Sequence, residues 1–141
     1  MYDSAGSGGT ITVDAVSLDD FFEGEGYPID IIKIDIEGAE MAALLGMSRV
    51  LRKNENVKLF IELSPVGFQR TGFSPREFWD KLMEYNFNFV YLINEPKRRI
   101  EPADFDSAMT FCKGSLFRKP TYVNLLCAKA PLEKRLIIDA T

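Results

Sequence analysis

Two segments of the chain carry apolar side chains at both odd and even positions, the pattern of a strand that is covered on both faces. Residues 29–36 contain five isoleucines, and residues 57–63 read Val-Lys-Leu-Phe-Ile-Glu-Leu. The first segment predicts a central, parallel strand, and the second predicts another buried strand. Residues 11–16 alternate apolar and polar side chains and predict a shorter, half-buried strand, which a short helix over residues 18–22 would follow.

Helical spacing of apolar side chains appears between the predicted strands. Residues 38–53 repeat small and apolar side chains every three or four positions and predict one continuous helix. Ser74, Pro75 and Glu77 form the start signal of another helix, with a serine N-cap, a proline in the first turn and a glutamate that completes a capping box. Residues 103–112 predict a further short helix.

The second half of the chain adds two strand patterns. Residues 87–93 and 122–128 are rich in aromatic and β-branched side chains and predict strands, whereas residues 96–102 predict a charged loop. Residues 132–141 fit either a strand or a helix. The alternation of strands and helices predicts a layered α/β domain with a mostly parallel sheet.

Length, charge and cysteine content limit the possible domain organisation, partners and location of the protein. A chain of 141 residues supports one domain, so we expect residues 1–141 to fold as a single unit with a flexible terminus over residues 1–9. A net charge of −4, with no basic stripe, argues against nucleic acid and membrane surfaces as partners. With no export signal or long apolar run, and with two cysteines that lack close paired spacing, we expect a cytoplasmic protein with reduced thiols.

The chain contains no histidine, so acid–base chemistry must use other side chains, and a metal would meet mainly oxygen ligands. Asp35 and Glu37 end the first buried strand, and Glu62 and Ser64 end the next. Ligands of α/β sheets bind beyond the carboxyl ends of the strands, so these carboxylates could share a proton, hold a divalent cation or bind hydroxyls and amines. Equally, Asp35 and Glu37 could only cap the following helix. Lys33 could act as a base with a shifted pKa or extend toward a carboxylate.

Four short motifs carry a resemblance to a known family. Residues 33–40 read Lys-Ile-Asp-Ile-Glu-Gly-Ala-Glu and closely resemble the Lys-Ile-Asp-x-Glu-Gly-Ala-Glu signature of FkbM-type methyltransferases. Residues 17–22 resemble the family's Thr-Leu-Asp-Asp-Leu-Leu element, residues 45–47 its Leu-x-Gly-Ala turn, and residues 59–62 its Ile-x-x-Glu strand. The motifs stand in the family's order and cover residues 17–62.

The resemblance implies a partial Rossmann-like methyltransferase sheet with helices on both faces. It also implies that S-adenosylmethionine donates a methyl group to a hydroxyl oxygen of a small metabolite or sugar. The implied site residues are Asp35, Glu37 and Glu62 for catalysis, with Asp35 the favoured base, and Ser64 and Lys33 for substrate binding.

The family's cofactor loop and its ribose-binding acid belong upstream of Ser17, where only sixteen residues stand. Residues 4–9 are glycine-rich but follow no predicted strand. We therefore predict the C-terminal half of the domain, with weak or no binding of S-adenosylmethionine and no activity alone.

Two other functions stay open at this point. The chain could be a non-catalytic module that retains half of the fold and serves in binding or assembly. A magnesium-dependent phosphate-transfer enzyme built on Asp35 and Glu37 is a weaker idea. Without the first half of the domain, residues 29–36 would stand at an edge of the sheet. Residues 10–16 could fold back and pair there to give a monomer, but we expect a twofold homodimer.

Overall fold

The computed structural model of the protein describes residues 12–114 and 122–133. The predicted flexible terminus, its glycine-rich segment and most of residues 132–141 lie outside this part. The described elements, in chain order, are α1 (Leu18–Phe21), β1 (Ile31–Ile34), α2 (Glu40–Leu45), α3 (Ser48–Lys53), β2 (Lys58–Leu63), α4 (Pro65–Thr71), α5 (Pro75–Glu84), β3 (Phe89–Asn94), β4 (Arg99–Pro102), α6 (Phe105–Lys113) and β5 (Val123–Ala128).

The described strands form one five-stranded sheet in the order β1-β2-β5-β3-β4. The α/β class is confirmed, but the prediction of a mostly parallel sheet is wrong. Only β1 and β2 pair in parallel, and the other three pairings are antiparallel. The physical reason is the placement of β5, which inserts between β2 and β3 and runs against both. Strands β1, β2 and β3 therefore still point the same way, as the strand–helix alternation predicted.

The two faces of the sheet are covered unequally. Side chains from α2 to α6 pack with one face in a large core around Leu59, Ile61 and Leu125, all of which are buried. The opposite face carries a small cluster in which Tyr91 and Leu126 pack with partly exposed neighbours. Helices on both faces are therefore not found in the described part of the chain, where helix burial is concentrated on one side.

Strand β1 lies at the edge of the described sheet. Its parallel pairing with β2 is confirmed, but it is not central and not covered on both faces, because Ile31 is 65% exposed while Ile34 is buried. Residues 12–16, the described part of the strand predicted over residues 11–16, have no regular structure and leave the outer edge of β1 without a strand partner among the described residues.

A break interrupts the helix predicted over residues 38–53. The chain turns at Gly46 and Met47 and restarts as α3, so that two short helices replace one long helix. Asp19 explains the restart, because its carboxylate accepts hydrogen bonds from the backbone N–H groups of Arg49 (2.9 Å) and Val50 (2.9 Å). A side chain about thirty residues away thus supplies the N-terminal cap that the local sequence lacks.

Most of the remaining helices and strands confirm the predictions, and two of them were not predicted. Helix α5 begins with the predicted capping box, in which Ser74 and Glu77 satisfy each other's backbone N–H groups. Helices α1 and α6 and strands β2, β3 and β5 also form close to their predicted bounds. Helix α4 was not predicted, and half of the predicted charged loop forms the edge strand β4.

Candidate functional site

A cleft of about 350 Å³ opens beyond the carboxyl ends of β1 and β2. Because these two strands are parallel, the residues that follow them meet at the same edge of the sheet. Asp35, Glu37, Glu62 and Ser64 all line this acidic cleft, so four of the five site residues predicted from sequence are brought together. The fifth, Lys33, does not line it.

The turn after β1 has an unusual backbone that presents the carboxylates. Glu37 has φ +54° and Gly38 has φ +102°, both in the left-handed region that most side chains avoid. Glu40 stabilises the turn: its Oε1 accepts hydrogen bonds from the backbone N–H groups of Gly38 (3.1 Å) and Ile36 (3.3 Å). The Glu40 side chain is fully buried in the first turn of α2.

The turn after β2 packs directly on the turn after β1. Ser64 caps α4 by accepting a hydrogen bond from the backbone N–H of Gly67 at 3.3 Å. A Cβ atom at Gly67 would lie 3.0 Å from the Cα of Gly38, which leaves no room for a side chain without movement of the backbone. Contact between two glycines therefore fixes the distance between the two strand ends that carry the acidic residues.

Glu62 has the most perturbed carboxyl group for which a shift is resolved in the described part of the chain. Its pKa is raised from 4.5 to about 7, first by partial burial and then by the negative charges of Glu40, Glu37 and Asp35. A glutamate with a pKa near neutrality can take up and release a proton at physiological pH. This combination of a cleft, neighbouring carboxylates and a raised pKa is typical of a site for acid–base chemistry.

Asp35 has a different environment. The ammonium group of Lys33 donates a hydrogen bond to its Oδ2 at 2.8 Å, and both side chains are more than half exposed. The lysine thus extends toward a carboxylate, the second of the two roles considered from the sequence. Assignment of Lys33 as a substrate ligand and of Asp35 as a base stays a prediction.

A second concavity of about 410 Å³ lies beside the acidic cleft, along the outer edge of β1. Its lining is mostly apolar and includes Val16, Ile32, Ile34, Ile36 and Met47. We call it the apolar groove. Lys33 is its only charged lining residue among the described residues, and no carboxylate lines it.

Neither concavity has the full set of groups that S-adenosylmethionine needs. An adenine ring calls for an apolar slot, and ribose hydroxyls call for an acidic acceptor beside it. The apolar groove lacks the acceptor, and the acidic cleft has mainly polar walls. The described residues therefore do not fit this cofactor by themselves.

Among residues 12–114 and 122–133, no group of three or more acidic or cysteine side chains could hold a metal ion. Cys112 and Cys127 are buried free thiols. None of the helices described is long and apolar enough to cross a membrane.

Comparison with known proteins identifies the family. Residues 3–89 match the model of the methyltransferase FkbM domain, and the match covers more than half of the chain. The chain therefore belongs to the FkbM methyltransferase domain family. No curated protein and no solved structure matches the chain significantly.

Sequence reasoning missed several residues of the site. Arg70, Tyr122 and Asn124 line the acidic cleft although no motif pointed to them. The register of β5 could have identified Asn124, because it stands directly opposite Glu62, but that register depends on a pairing distant in sequence. Glu40 could have been weighed more heavily, since it closes the family signature.

Proposed function

We propose that the acidic cleft is the acceptor side of a methyltransferase site, where a hydroxyl group of a small metabolite or sugar binds and gives up its proton. The observation that carries the proposal is the convergence of Asp35, Glu37 and Glu62 at neighbouring strand ends, in a chain of the FkbM methyltransferase domain family. Carboxylates in a partly desolvated cleft accept hydrogen bonds from hydroxyl groups, which are the most abundant polar groups of sugars.

Glu62 is the residue that we assign as general base. Its pKa of about 7 leaves a substantial deprotonated fraction at neutral pH, and the protonated form is then stable enough to retain the acceptor's proton. Glu62 Oε would receive the hydroxyl proton as the acceptor oxygen becomes nucleophilic. Asp35, which the sequence favoured, is held by the Lys33 ammonium and is better suited to binding than to proton transfer.

The neutral side chains of the cleft suit orientation of the acceptor. Ser64 and Asn124 supply hydroxyl and amide groups on the β2 and β5 side. Arg70 adds a cation to a wall of carboxylates, so an acceptor with both hydroxyls and an acidic group would meet complementary charges.

A direct test is saturation-transfer NMR of the chain with separate hexoses, hexosamines and uronic acids. We expect millimolar or tighter binding of at least one class, weakened about tenfold or more by Glu62→Gln and unaffected by Glu25→Gln, an exposed glutamate distant in sequence. Absence of binding by all three classes would contradict the proposal.

A second candidate, a non-catalytic module that binds the same small molecules, is favoured by one observation: the described residues do not fit S-adenosylmethionine. Incubation of a protein that carries this domain together with a donor site, with labelled S-adenosylmethionine and an acceptor that binds, separates the two. Methyl transfer that Glu62→Gln abolishes supports the enzyme, and binding without transfer supports the module.

A further inference from the structure

Glu40 is the most deeply buried charged residue in the described part of the chain. Its side chain is 0% exposed, in the first turn of α2. One oxygen, Oε1, accepts both backbone hydrogen bonds from the turn, whereas the other, Oε2, is buried with no hydrogen-bond partner. Burying a carboxylate oxygen without a partner costs free energy, so simple helix capping does not account for this residue.

The turn that Glu40 contacts needs such an interaction. A non-glycine residue is strained in the left-handed region because its Cβ crowds the following carbonyl oxygen, and Glu37 occupies this region beside Gly38. Glu40 accepts hydrogen bonds from the backbone N–H groups of Ile36 and Gly38, the residues directly before and after Glu37. A charged acceptor makes a stronger hydrogen bond than a neutral one, so a single side chain can offset the strain of this backbone.

Two further contacts extend this arrangement to the second strand end. Gly38 packs against Gly67 of α4, and that helix begins at the Ser64 cap. A shift of the Glu37–Gly38 turn would therefore also displace the residues that follow β2. The consequence is that one buried carboxylate determines the relative position of both acidic walls of the cleft.

We propose that Glu40 is the positioning residue of the acidic cleft, holding the turn between β1 and α2 in the backbone conformation that presents Asp35 and Glu37 beside Glu62. The functional role of Glu40 rests on the proposed binding of a methyl acceptor in the cleft. The experiment that tests its positioning role needs no methyl acceptor.

Glu40 also contributes charge to the cleft. Among the charges that raise the pKa of Glu62, Glu40 has the largest effect after burial. The titratable and charged residues around Glu62 are Asp35, Glu37, Glu40, Arg70, Cys112 and Tyr122. Of these, Glu40 combines complete burial with a fixed place in the backbone turn, so its influence does not depend on a flexible surface side chain.

The experiment compares Glu40→Gln, Glu40→Ala and the matched control Glu77→Gln in the full chain by NMR. Glu77 accepts a backbone hydrogen bond in a first helical turn as Glu40 does, but at the surface in α5. The readouts are the exchange rates of the Ile36 and Gly38 amides and the titration midpoint of the Glu62 carboxyl carbon.

In Glu40→Ala we expect exchange of the Ile36 and Gly38 amides to accelerate about tenfold or more, because both lose their acceptor. Glutamine retains a carbonyl oxygen but loses the charge, so Glu40→Gln should accelerate exchange less than Glu40→Ala does, while the Glu62 midpoint falls from about 7 toward 4.5. The control should change neither readout.

Wild-type exchange rates in Glu40→Ala would overturn the proposal, as would equal acceleration in the glutamine variant or an unchanged Glu62 midpoint there. If Glu40→Ala does not fold, the titration midpoint of Glu62 in Glu40→Gln still tests the proposal. Because no acceptor is present, a negative result here is distinct from a failure of the sugar-binding experiment.

Discussion

The acidic cleft and the apolar groove flank the same strand end but contain opposite chemistry. Side chains of Asp35 and Glu37 contribute to the cleft, whereas Ile34 and Ile36, from alternate positions, contribute to the groove. In the cleft, backbone groups are satisfied by Glu40 and Ser64, and charges are concentrated in a partly desolvated space. In the groove, a strand edge has no strand partner among the described residues, and its side chains are apolar.

This difference separates two roles within a few residues. Carboxylates that lie close together shift each other's pKa values and bind polar ligands. They offer no apolar surface that association with another chain would bury. An unpaired strand edge beside exposed isoleucines gains hydrogen bonds and apolar burial from another chain. We therefore expect substitutions in the cleft to change chemistry without changing association, and substitutions in the groove to do the reverse.

The largest effect should come from the proposed base. In a methyltransferase that carries this domain together with a donor site, Glu62→Gln should reduce turnover about 10²- to 10⁴-fold, the usual contribution of a general base. Asp35→Asn should reduce it less, because the Asp35 carboxylate already accepts a hydrogen bond from the Lys33 ammonium group. The test is steady-state methyl transfer to the acceptor, and a larger loss in Asp35→Asn would reverse the two assignments.

Most of this site could be predicted from sequence because its residues follow strands whose patterns are local. The buried patterns of residues 29–36 and 57–63 identified β1 and β2, and their parallel pairing brings Glu37 and Glu62 together. The family signature in residues 33–40 also pointed to Asp35 and Glu37.

What could not be predicted depends on contacts distant along the chain. The insertion of β5 between β2 and β3 determines the antiparallel pairings, and no local pattern encodes it. Likewise, the break between α2 and α3 depends on Asp19, and the burial of Glu40 depends on how α2 packs. Helix α4 is short and contains Gly67, so its intrinsic helix signal is weak.

The second prediction concerns the groove. We propose that the chain forms a twofold dimer through the outer edge of β1, since three large exposed apolar side chains lie on β1 or line the apolar groove: Val16, Ile31 and Ile36. An antiparallel pairing centred on Ile34 would set Lys33 of each copy opposite Asp35 of the other, so the edge is complementary to itself in charge.

Light scattering coupled to size exclusion should therefore report about twice the 16.0 kDa chain mass. Ile36→Lys should return the mass to that of one chain, because in this pairing residue 36 stands opposite Ile32, and a lysine there would enter the apolar contact. Val66→Lys, at an exposed apolar position in the acidic cleft, is the matched control and should leave the dimer intact. A monomeric wild-type chain at high micromolar concentration would refute the dimer.

The third prediction is a smaller, pH-dependent effect on folding stability. Because the pKa of Glu62 is about 7 in the folded chain and 4.5 as its ordinary value, the folded state binds more protons between these values. The stability contributed by this proton is therefore present below pH 4.5 and is lost as pH rises to 7. Glu62→Gln should be more stable than the wild type by about 1 kcal/mol at pH 8, after allowance for solvent screening, with a smaller difference at pH 5.

Urea unfolding at the two pH values measures this difference, and other titrating groups cancel between the paired proteins. Glu77→Gln is the control. Hydrogen bonds from Ser74 lower the pKa of Glu77 below 4.5, so the stability that Glu77 contributes is lost only below this range, and its substitution should give nearly the same difference at pH 5 and pH 8. An equal stability difference for Glu62→Gln at pH 5 and pH 8 would argue against a raised pKa and against its role as the base.

The smallest expected effect is the response to S-adenosylmethionine, and it tests whether the cleft and the groove act separately. Binding requires an apolar slot and an acidic ribose acceptor in one place, but the described residues put the apolar surface in the groove and the carboxylates in the cleft. Calorimetric titration of the chain with S-adenosylmethionine should therefore give heats of dilution without saturation, for the wild type and for Glu62→Gln alike. A micromolar dissociation constant with one site per chain would contradict this prediction. If Ile36→Lys then weakened that binding while Glu62→Gln did not, the groove would be the cofactor site, and the proposed dimer edge would have to be assigned elsewhere.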